Sequence, residues 1–346
     1  MIQQSRRRSA LVATSLLSVA LVGGSAIASA QSPSAAAWPE PATGVTGTLE
    51  IHGSSTVGPI TSSVAEAFNG LNPDWGYSVG TEGTGAGFAD FFCAGLSDIS
   101  DASRKIKDTE VAACAAAGVT YAELPVAYDG LAVITSVKNP IECLTKADLY
   151  ALMGPESDAV TNWKDAQALA TELGSTTVFP DAPLSITAPG DESGTYDSFI
   201  VLALAGFIKD RAQETKLRTP GSVYIASPDD NVIIEGVAGF DTSLGFVGLS
   251  YAEANADRVK VLGVDGGKGC VKPDITTVSD GSYPISRTLF IYPSLTKLAD
   301  NPAIVPFVDY YLSDAGLASA TDVGYVALHP DAVAASRATW LAATGR

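Results

Sequence analysis

The chain has 346 residues, of which 46% are hydrophobic and 17% are charged, and its formal net charge is −17. This composition is that of a globular protein and excludes an intrinsically disordered chain. So acidic a chain also argues against nucleic acid and anionic membrane as partners.

The first 30 residues predict a cleaved secretory signal. Three arginines at positions 6–8 make a basic start, an apolar run follows, and Ala28-Ser29-Ala30 is the small-residue pattern of a cleavage site. The apolar run is too short and too interrupted by Ser and Gly to predict a membrane span. We expect export by the general or the twin-arginine route, and no lipid anchor because no Cys lies near the cleavage point. Removal of the signal would change the net charge to −20, because it takes away three arginines and no acid.

Residues 31–46 are rich in Pro, Ala and Ser and have no apolar periodicity. This predicts a flexible leader. About 300 residues follow, which is enough for two lobes with separate cores.

Beyond the leader, β-like runs alternate with amphipathic segments along the chain. The predicted strands are 47–52, 77–79, 131–135, 244–249 and 259–264. The predicted helices are 59–69, 88–94, 109–117, 145–153, 195–208, 301–314 and 332–343. Strand and helix in regular alternation predict an α/β architecture with mostly parallel sheets.

Three Gly/Ser/Thr-rich turns each lie between a strand and a helix: turn 1 (53–56), turn 2 (83–87) and turn 3 (190–195). A helix start offers free N–H donors and a favourable dipole for an anion, and glycine permits close approach of a ligand. None of the turns has the P-loop or the dinucleotide pattern. A simple N-cap explains any one of them equally well, but three in one chain favour an oxyanion held by uncharged donors.

The segment 98–104 begins like a buried strand and ends in Ser103-Arg104. The guanidinium group of Arg is a rigid fork that matches an oxyanion. Without further context, an ordinary surface arginine is the favoured interpretation.

Four cysteines in an exported chain predict disulfides rather than free thiols. Their spacing fits no zinc pattern, and the chain has only two histidines, so we expect no metal and no other cofactor. The four cysteines are Cys93, Cys114, Cys143 and Cys270, and the two histidines are His52 and His329.

Nine segments, in the same order along the chain, resemble the phosphate-binding component of high-affinity phosphate ABC importers, in the type II periplasmic-binding-protein superfamily. They are GSSTVGP (53–59), GTGAGF (83–88), DISDASRKI (98–106), VAYDGLAVI (126–134), LTKADLYALM with VTNW (144–163), PGDESGTYDSF (189–199), ASPDDNVIIEGV (226–237), LGFVGLSYAEAN (244–255) and YPISRTLFIYP (283–293).

The resemblance implies a two-lobed fold with a hinge and phosphate in the cleft between the lobes. Lobe 1 would comprise 47–127 and 277–346, and lobe 2 would comprise 128–276. The phosphate contacts that it implies are Ser55, Thr56, Val57, Thr84, Gly85, Ser193, Gly194 and Thr195.

The charged residues expected at the site differ from those in other branches of the family. Those branches carry Arg before Ser-Gly-Thr and Asp near position 104. Pro189 and Arg104 occupy those places here, so we expect Arg104 to be a direct ligand. Asp129 is the expected acceptor for the proton that phosphate carries and sulfate lacks, although a hinge-turn residue is an equally good interpretation. The next acceptor candidates are Asp191 and Asp101.

The expected function is that of an exported, monomeric solute-binding protein, in the periplasm, at the cell envelope or released. It would carry inorganic phosphate to the membrane permease of an ABC importer. The same fold binding sulfate or molybdate is one alternative. Another is a phosphatase with Ser193 as nucleophile, but neither histidine has a defined triad setting.

Two disulfides are expected, Cys93–Cys114 and Cys143–Cys270. The first would join the helix after turn 2 to the helix that follows Arg104. The second would join two passes of the chain near the hinge.

Overall fold

The computed structural model describes residues 38–191, 193–211 and 215–346. The predicted signal and the first part of the predicted leader lie outside these residues. Within them, no helix combines the length and the apolar character that crossing a membrane requires. The last part of the predicted leader is hydrogen-bonded to the protein, because the Asn72 side chain donates to the Ala42 carbonyl at 3.1 Å and accepts the Val45 N–H at 2.9 Å.

The described residues contain twelve strands and thirteen α-helices. The strands are β1 (Gly47–Gly53), β2 (Trp75–Gly80), β3 (Ile99–Ala102), β4 (Leu124–Ser136), β5 (Cys143–Thr145), β6 (Ser185–Ala188), β7 (Tyr224–Ala226), β8 (Ser243–Gly248), β9 (Val259–Val261), β10 (Gly263–Asp265), β11 (Cys270–Val271) and β12 (Ser286–Pro293). The helices are α1 (Gly58–Leu71), α2 (Thr84–Ala86), α3 (Asp108–Ala116), α4 (Lys146–Met153), α5 (Gln167–Glu172), α6 (Gly194–Phe199), α7 (Ala205–Arg211), α8 (Asp230–Ala238), α9 (Leu249–Ala254), α10 (Ile275–Ser279), α11 (Ile304–Tyr311), α12 (Asp314–Asp322) and α13 (Pro330–Ala343).

Two of the predicted helices contain π-helical segments. Gly87–Phe92 follows α2 directly, and Ile200–Leu204 joins α6 to α7. Such segments widen a helix locally and are frequent at functional sites. Both follow one of the Gly/Ser/Thr turns.

Nine strands form one sheet in the order β2-β1-β3-β12-β4-β8-β6-β7, with β9 also paired to β4. The outer pairs are parallel, as the sequence predicts, but β12 is antiparallel to β3 and β4, and β4 is antiparallel to β8. The expectation of mostly parallel sheets is therefore wrong for the middle of this sheet. The mixed α/β fold itself is confirmed.

Strand β4 links the two halves of the sheet. It has 13 residues, and all but Pro125 are buried. Its first half pairs with β12, and from Leu131 onward it pairs with β8 and β9. A strand covered on both faces needs a mostly apolar sequence, which this segment has apart from a few residues such as Asp129.

Helix α1 shows how the sequence positions turn 1. Pro59 suits the first helical turn, where an N–H has no intrahelical acceptor. Ile60, Val64 and Phe68 recur every four residues and are completely buried. Because β1, β2 and β3 are parallel, their carboxyl ends meet at one edge of the sheet, where turn 1, turn 2 and Ser103 follow them.

Both predicted disulfides are confirmed. Cys93 and Cys114 have Cα atoms 4.3 Å apart, and Cys143 and Cys270 have Cα atoms 6.2 Å apart. The first bond joins the end of the Gly87–Phe92 segment to α3. The second joins β5 to β11 in a separate three-stranded sheet.

Candidate functional site

Turn 1 connects β1 to α1, and Ser54 makes most of its hydrogen bonds. The Ser54 hydroxyl accepts the N–H groups of Thr56 and Val57 at 3.1 and 3.3 Å, and its carbonyl accepts that of Gly58 at 2.9 Å. Ser55 is exposed, whereas the Val57 side chain is completely buried. Of the predicted contacts in this turn, Ser55 is therefore presented outward, while the Val57 N–H is already bonded within the turn.

Turn 2 is held against turn 1. Gly83, at φ +99°, donates its N–H to the Gly53 carbonyl at 2.8 Å. The Thr84 hydroxyl accepts the Ser103 N–H at 3.1 Å and lies 3.2 Å from the Ser103 hydroxyl. Gly85 lies in the short helix that Thr84 begins. The first two turns and the end of β3 thus form one hydrogen-bonded edge.

Turn 3 leads into α6 in the other half of the sheet. The Ser193 hydroxyl accepts the Thr195 N–H at 3.2 Å and caps the helix. Gly194 is exposed, and Ser193 and Thr195 are partly exposed. A Cβ atom placed on Gly194 would lie 4.0 Å from the Tyr325 hydroxyl.

Arg287 on β12 connects the two halves of the sheet. It lies opposite Asp129 on β4 and donates from Nε to Asp129 Oδ2 at 2.9 Å. One terminal nitrogen donates to the hydroxyls of Thr56 and Ser198 at 3.0 and 2.9 Å, and the other donates to that of Ser103 at 3.3 Å. A single guanidinium therefore contacts turn 1, helix α6 and the residue that follows β3.

Asp129 is the buried counter-ion of Arg287. Its side chain is 2% exposed, against 16% for Arg287. Asp129 Oδ2 also accepts the Ser198 hydroxyl at 2.9 Å. Sequence reasoning missed Arg287, but a signal was present. One Arg in a strand of apolar residues and one Asp in another apolar strand predict a pair, because a buried charge needs a partner.

Arg104 makes a different ion pair, on the side of turn 2. Its terminal nitrogens donate to both carboxylate oxygens of Glu110 at 2.8 and 2.7 Å, and one also donates to the Lys105 carbonyl at 3.1 Å. Partial burial favours the neutral form of Glu110. The hydrogen bonds from Arg104 and from the Lys107 N–H outweigh this effect and hold the pKa of Glu110 below its usual value.

Two cavities lie beside these groups. The larger, of about 590 Å³, is lined by turns 1 and 2, by both arginines and by Asp197 and Leu202. The smaller, of about 180 Å³, is lined by turn 3, Asp129 and Ser198. Arg287 contacts the lining of both cavities.

The predicted site residues divide between these cavities. The larger cavity is lined by Ser55, Thr56, Thr84 and Arg104. The smaller is lined by Asp129, Gly194 and Thr195. Neither cavity is lined by Val57, Gly85 or Ser193.

The remaining acids differ in their access to the cavities. Asp101 is completely buried and lines neither of them, and Asp191 is exposed in turn 3. Asp197, which the sequence analysis did not select, lines the larger cavity. Desolvation raises its pKa, although the charge of Arg287 opposes the shift. In the part of the chain that the structure describes, no hydrogen bond reaches the Asp197 carboxylate.

Both histidines have partners other than Ser193. His52 Nδ1 lies 2.9 Å from Glu82 Oε1, and its ring stacks on Phe91. His329 caps α13. Among the residues that the structure describes, no group of His, Cys, Asp and Glu could hold a metal ion.

Comparison with known proteins adds an independent finding. The model of the PBP superfamily domain matches residues 39–315. Protein SphX of Synechocystis sp. is 38% identical over 287 residues, 82% of this chain and 79% of that protein. The phosphate-binding protein PstS of Staphylococcus saprophyticus is 34% identical over 286 residues, 82% of this chain and 81% of that protein. The crystal structure of a possible phosphate binding protein from Planctomyces limnophilus has a TM-score of 0.75 and 32% identity, covering 86% of this chain and 99% of that chain.

Proposed function

The chain belongs to the PBP superfamily, in the family that includes SphX and PstS, and we propose that it binds inorganic phosphate outside the cytoplasm for an ABC importer. This family consists of extracytoplasmic solute-binding proteins and not of enzymes. The bonded histidines agree with this assignment, because a nucleophilic Ser193 would need an adjacent base.

One observation carries the proposal most directly. The Arg287 guanidinium, held from behind by Asp129, contacts hydroxyls of turn 1 and of helix α6 at the wall of the larger cavity. A phosphate oxygen that replaced these hydroxyl contacts would meet charge-assisted donors, which are stronger than neutral ones. The exposed Ser55 hydroxyl would supply a donor without adding charge, as would those N–H groups of the helix starts that are not already bonded to Ser54 or Ser193.

Phosphate would be enclosed by movement of two lobes. We propose that lobe 1 comprises 47–127 and 277–346 and that lobe 2 comprises 128–276. In support, the first half of β4 pairs with β12 and its second half pairs with β8. Bending at this strand would bring turn 3 toward turns 1 and 2 and would give a permease a shape to recognise.

The phosphate proton needs an acceptor within the cavity. We propose that Asp197 accepts it, because Asp197 and both arginines line the larger cavity. Asp129 Oδ2, by contrast, already accepts both Arg287 and Ser198. Asp129 would then hold Arg287 in place instead of contacting the proton. A carboxylate repels fully ionised sulfate, so an acceptor of this kind favours phosphate.

Calorimetric titration of the mature protein, residues 31–346, with phosphate, sulfate and molybdate tests the proposal. We expect phosphate to bind at least about a hundredfold more tightly than the other two anions, because each unpaired or like-charge contact costs on the order of a few kcal/mol. Tighter binding of sulfate or molybdate would favour that ligand on the same fold. Turnover of a chromogenic phosphate ester would instead favour an enzyme.

A matched pair of variants locates the site. Arg287→Ala should abolish measurable phosphate binding, whereas Arg258→Ala should leave it unchanged, because Arg258 pairs with Glu235 and lines neither cavity. Equal affinities in the two variants would place the phosphate site elsewhere.

Export is proposed from the N-terminal sequence. Removal of 1–30 should leave Gln31 as the first residue of protein recovered from outside the cytoplasm, which N-terminal peptide mapping would show. An intact N-terminus in the cytoplasmic fraction would contradict the proposal. Oxidised Cys93–Cys114 and Cys143–Cys270 agree with an exported location.

A further inference from the structure

Arg104 is held by a carboxylate on a separate helix. Glu110, in the first turn of α3, accepts two parallel hydrogen bonds from the two terminal nitrogens of Arg104. Such bidentate geometry fixes the plane of a guanidinium group as well as its position. The side chain of Glu110 is 14% exposed and that of Arg104 is 31% exposed, so the pair is only partly screened by solvent.

Within the described residues, the pair leaves part of the guanidinium without a hydrogen-bond acceptor. A guanidinium has five N–H donors. Glu110 accepts two of them and the Lys105 carbonyl accepts a third. The remaining donors are on Nε and on Nη2, and Nη2 is the atom that a Cβ on Gly85 would meet, at 3.8 Å. Glu110 therefore orients Arg104 so that a free donor lies beside turn 2.

Helix α3 is itself fixed to the helix that turn 2 begins. Cys114 lies one turn after Glu110 on α3 and is bonded to Cys93 at the end of the Gly87–Phe92 segment. Cys93 Sγ also lies 3.5 Å from the Glu110 carbonyl oxygen. Both cysteines are buried, with exposures of 7% and 0%. The disulfide thus sets the distance between the backbone of Glu110 and the helix after turn 2.

We propose that Glu110 is a positioning residue for Arg104 and that the Cys93–Cys114 disulfide is the connection that fixes it relative to turn 2. The inference rests on the proposed phosphate function. It predicts that full phosphate affinity needs both the Glu110 carboxylate and the intact bond.

Two effects of removing Glu110 oppose each other. The loss of a negative charge would favour an anion through its electrostatic field. Loss of the two hydrogen bonds to Glu110 would let the Arg104 side chain sample many rotamers. Phosphate binding would then have to restrict them, at a cost in conformational entropy. The electrostatic field of the partly exposed Glu110 charge is weakened by solvent and salt. Misplacement of the Arg104 guanidinium, by contrast, changes hydrogen bonds at contact distance. We therefore expect orientation to dominate and affinity to fall.

The test of Glu110 is a double-mutant cycle with inorganic phosphate as the probe. Glu110→Ala should weaken binding roughly tenfold or more, as partners that orient a binding group typically do, and Glu110→Gln should weaken it less. In an Arg104→Ala background, Glu110→Ala should cause no further loss. Equal losses in both backgrounds would show that Glu110 does not act through Arg104. Tighter binding in Glu110→Gln would show that the carboxylate competes with phosphate for Arg104.

The test of the disulfide uses the second disulfide as its control. The double variant Cys93→Ser, Cys114→Ser should weaken phosphate binding roughly tenfold. The double variant Cys143→Ser, Cys270→Ser should bind like the parent, because that bond joins β5 to β11 in a separate sheet. Parental affinity in the first variant, or equal weakening in both, would overturn the inference.

The outcomes also separate this inference from the proposed function. A parent protein that binds no phosphate would refute the proposed function and this inference with it. A parent that binds phosphate, with Glu110 and disulfide variants that bind equally well, would refute this inference alone. Thermal unfolding of each variant without phosphate would show whether a loss of affinity follows from a loss of folded protein.

Discussion

Replacing Asp101 by Asn should stabilise the protein at alkaline pH and have a smaller effect at acidic pH. Asp101 lies on β3 and is completely buried, and within the described residues neither carboxyl oxygen has a hydrogen-bond partner. Burial raises its pKa from 3.8 to about 7, although the nearby Thr61 hydroxyl opposes the shift. The Thr61 hydroxyl lies 3.0 Å from that of Tyr311. The carboxyl of Asp101 is therefore buried beneath turn 1 with little compensation for a charge.

The sign follows from proton binding. The folded protein holds the Asp101 proton more tightly than the unfolded chain, so the free energy of unfolding falls as the pH rises from about 4 to about 7. One pKa unit corresponds to about 1.4 kcal/mol, which gives a total loss of at most about 4 kcal/mol. Above about pH 7 this loss of unfolding free energy is complete and no longer changes with pH. Asn cannot ionise, so the Asp101→Asn variant does not undergo this loss of stability.

Urea unfolding in phosphate-free buffer, at about pH 5.5 and about pH 8.5, measures this difference, because bound ligand would itself add stability. The advantage of Asp101→Asn over the parent should grow by about 2 kcal/mol between the two conditions. Asp74→Asn, at an exposed turn position, is the control and should show a constant difference. Parallel stability curves for the parent and Asp101→Asn would refute the reasoning.

Four further variants test the binding site by titration with phosphate and sulfate. Arg104→Ala should lose roughly 2–5 kcal/mol of phosphate binding, and an affinity within about twofold of the parent would make Arg104 an ordinary surface arginine. Arg287→Lys should lose about 2 kcal/mol or more, because an ammonium group cannot span Asp129 and Thr56 together, and full affinity would contradict the contacts described. Asp197→Asn should bring the two affinities together because its amide can donate to sulfate, whereas Asp129→Asn should weaken binding of both anions. A collapse of discrimination in Asp129→Asn instead would return the acceptor role to Asp129.

The fold was largely predictable because its elements follow local patterns. Helix α1 is marked by Pro59 and by apolar residues every four positions, and the structure places the helix at Gly58–Leu71. No local sequence pattern indicates the direction of β12. A strand has the same alternation in either direction, so the antiparallel pairing of β12 with β3 and β4 depends on where the chain returns from.

The candidate site was predictable where its residues lie in short segments and unpredictable where it depends on pairs of residues far apart in the chain. Turns 1 and 2 combine glycine and hydroxyl residues within a few positions, and the structure holds them together. The partner of Asp129 is Arg287, 158 residues along the chain. Glu110 is six residues from Arg104, but α3 begins only at Asp108, so no helical spacing indicates the contact.

Binding of an anion, as proposed, by a chain with a net charge of −17 presents an electrostatic difficulty, and the arrangement of its arginines affects it. Each arginine beside the larger cavity is already paired with a carboxylate, Arg287 with Asp129 and Arg104 with Glu110. These pairs are close to neutral before any ligand enters, so attraction by net charge contributes little. The pairs instead fix the orientation of the N–H donors, because each guanidinium is held by the carboxylate that it contacts. Salt reduces the repulsion from the acidic surface over roughly 10 Å, whereas oriented N–H and O–H donors act at contact distance in a cavity that screens them less. Affinity in this protein should therefore depend more on the geometry of these donors than on the number of positive charges.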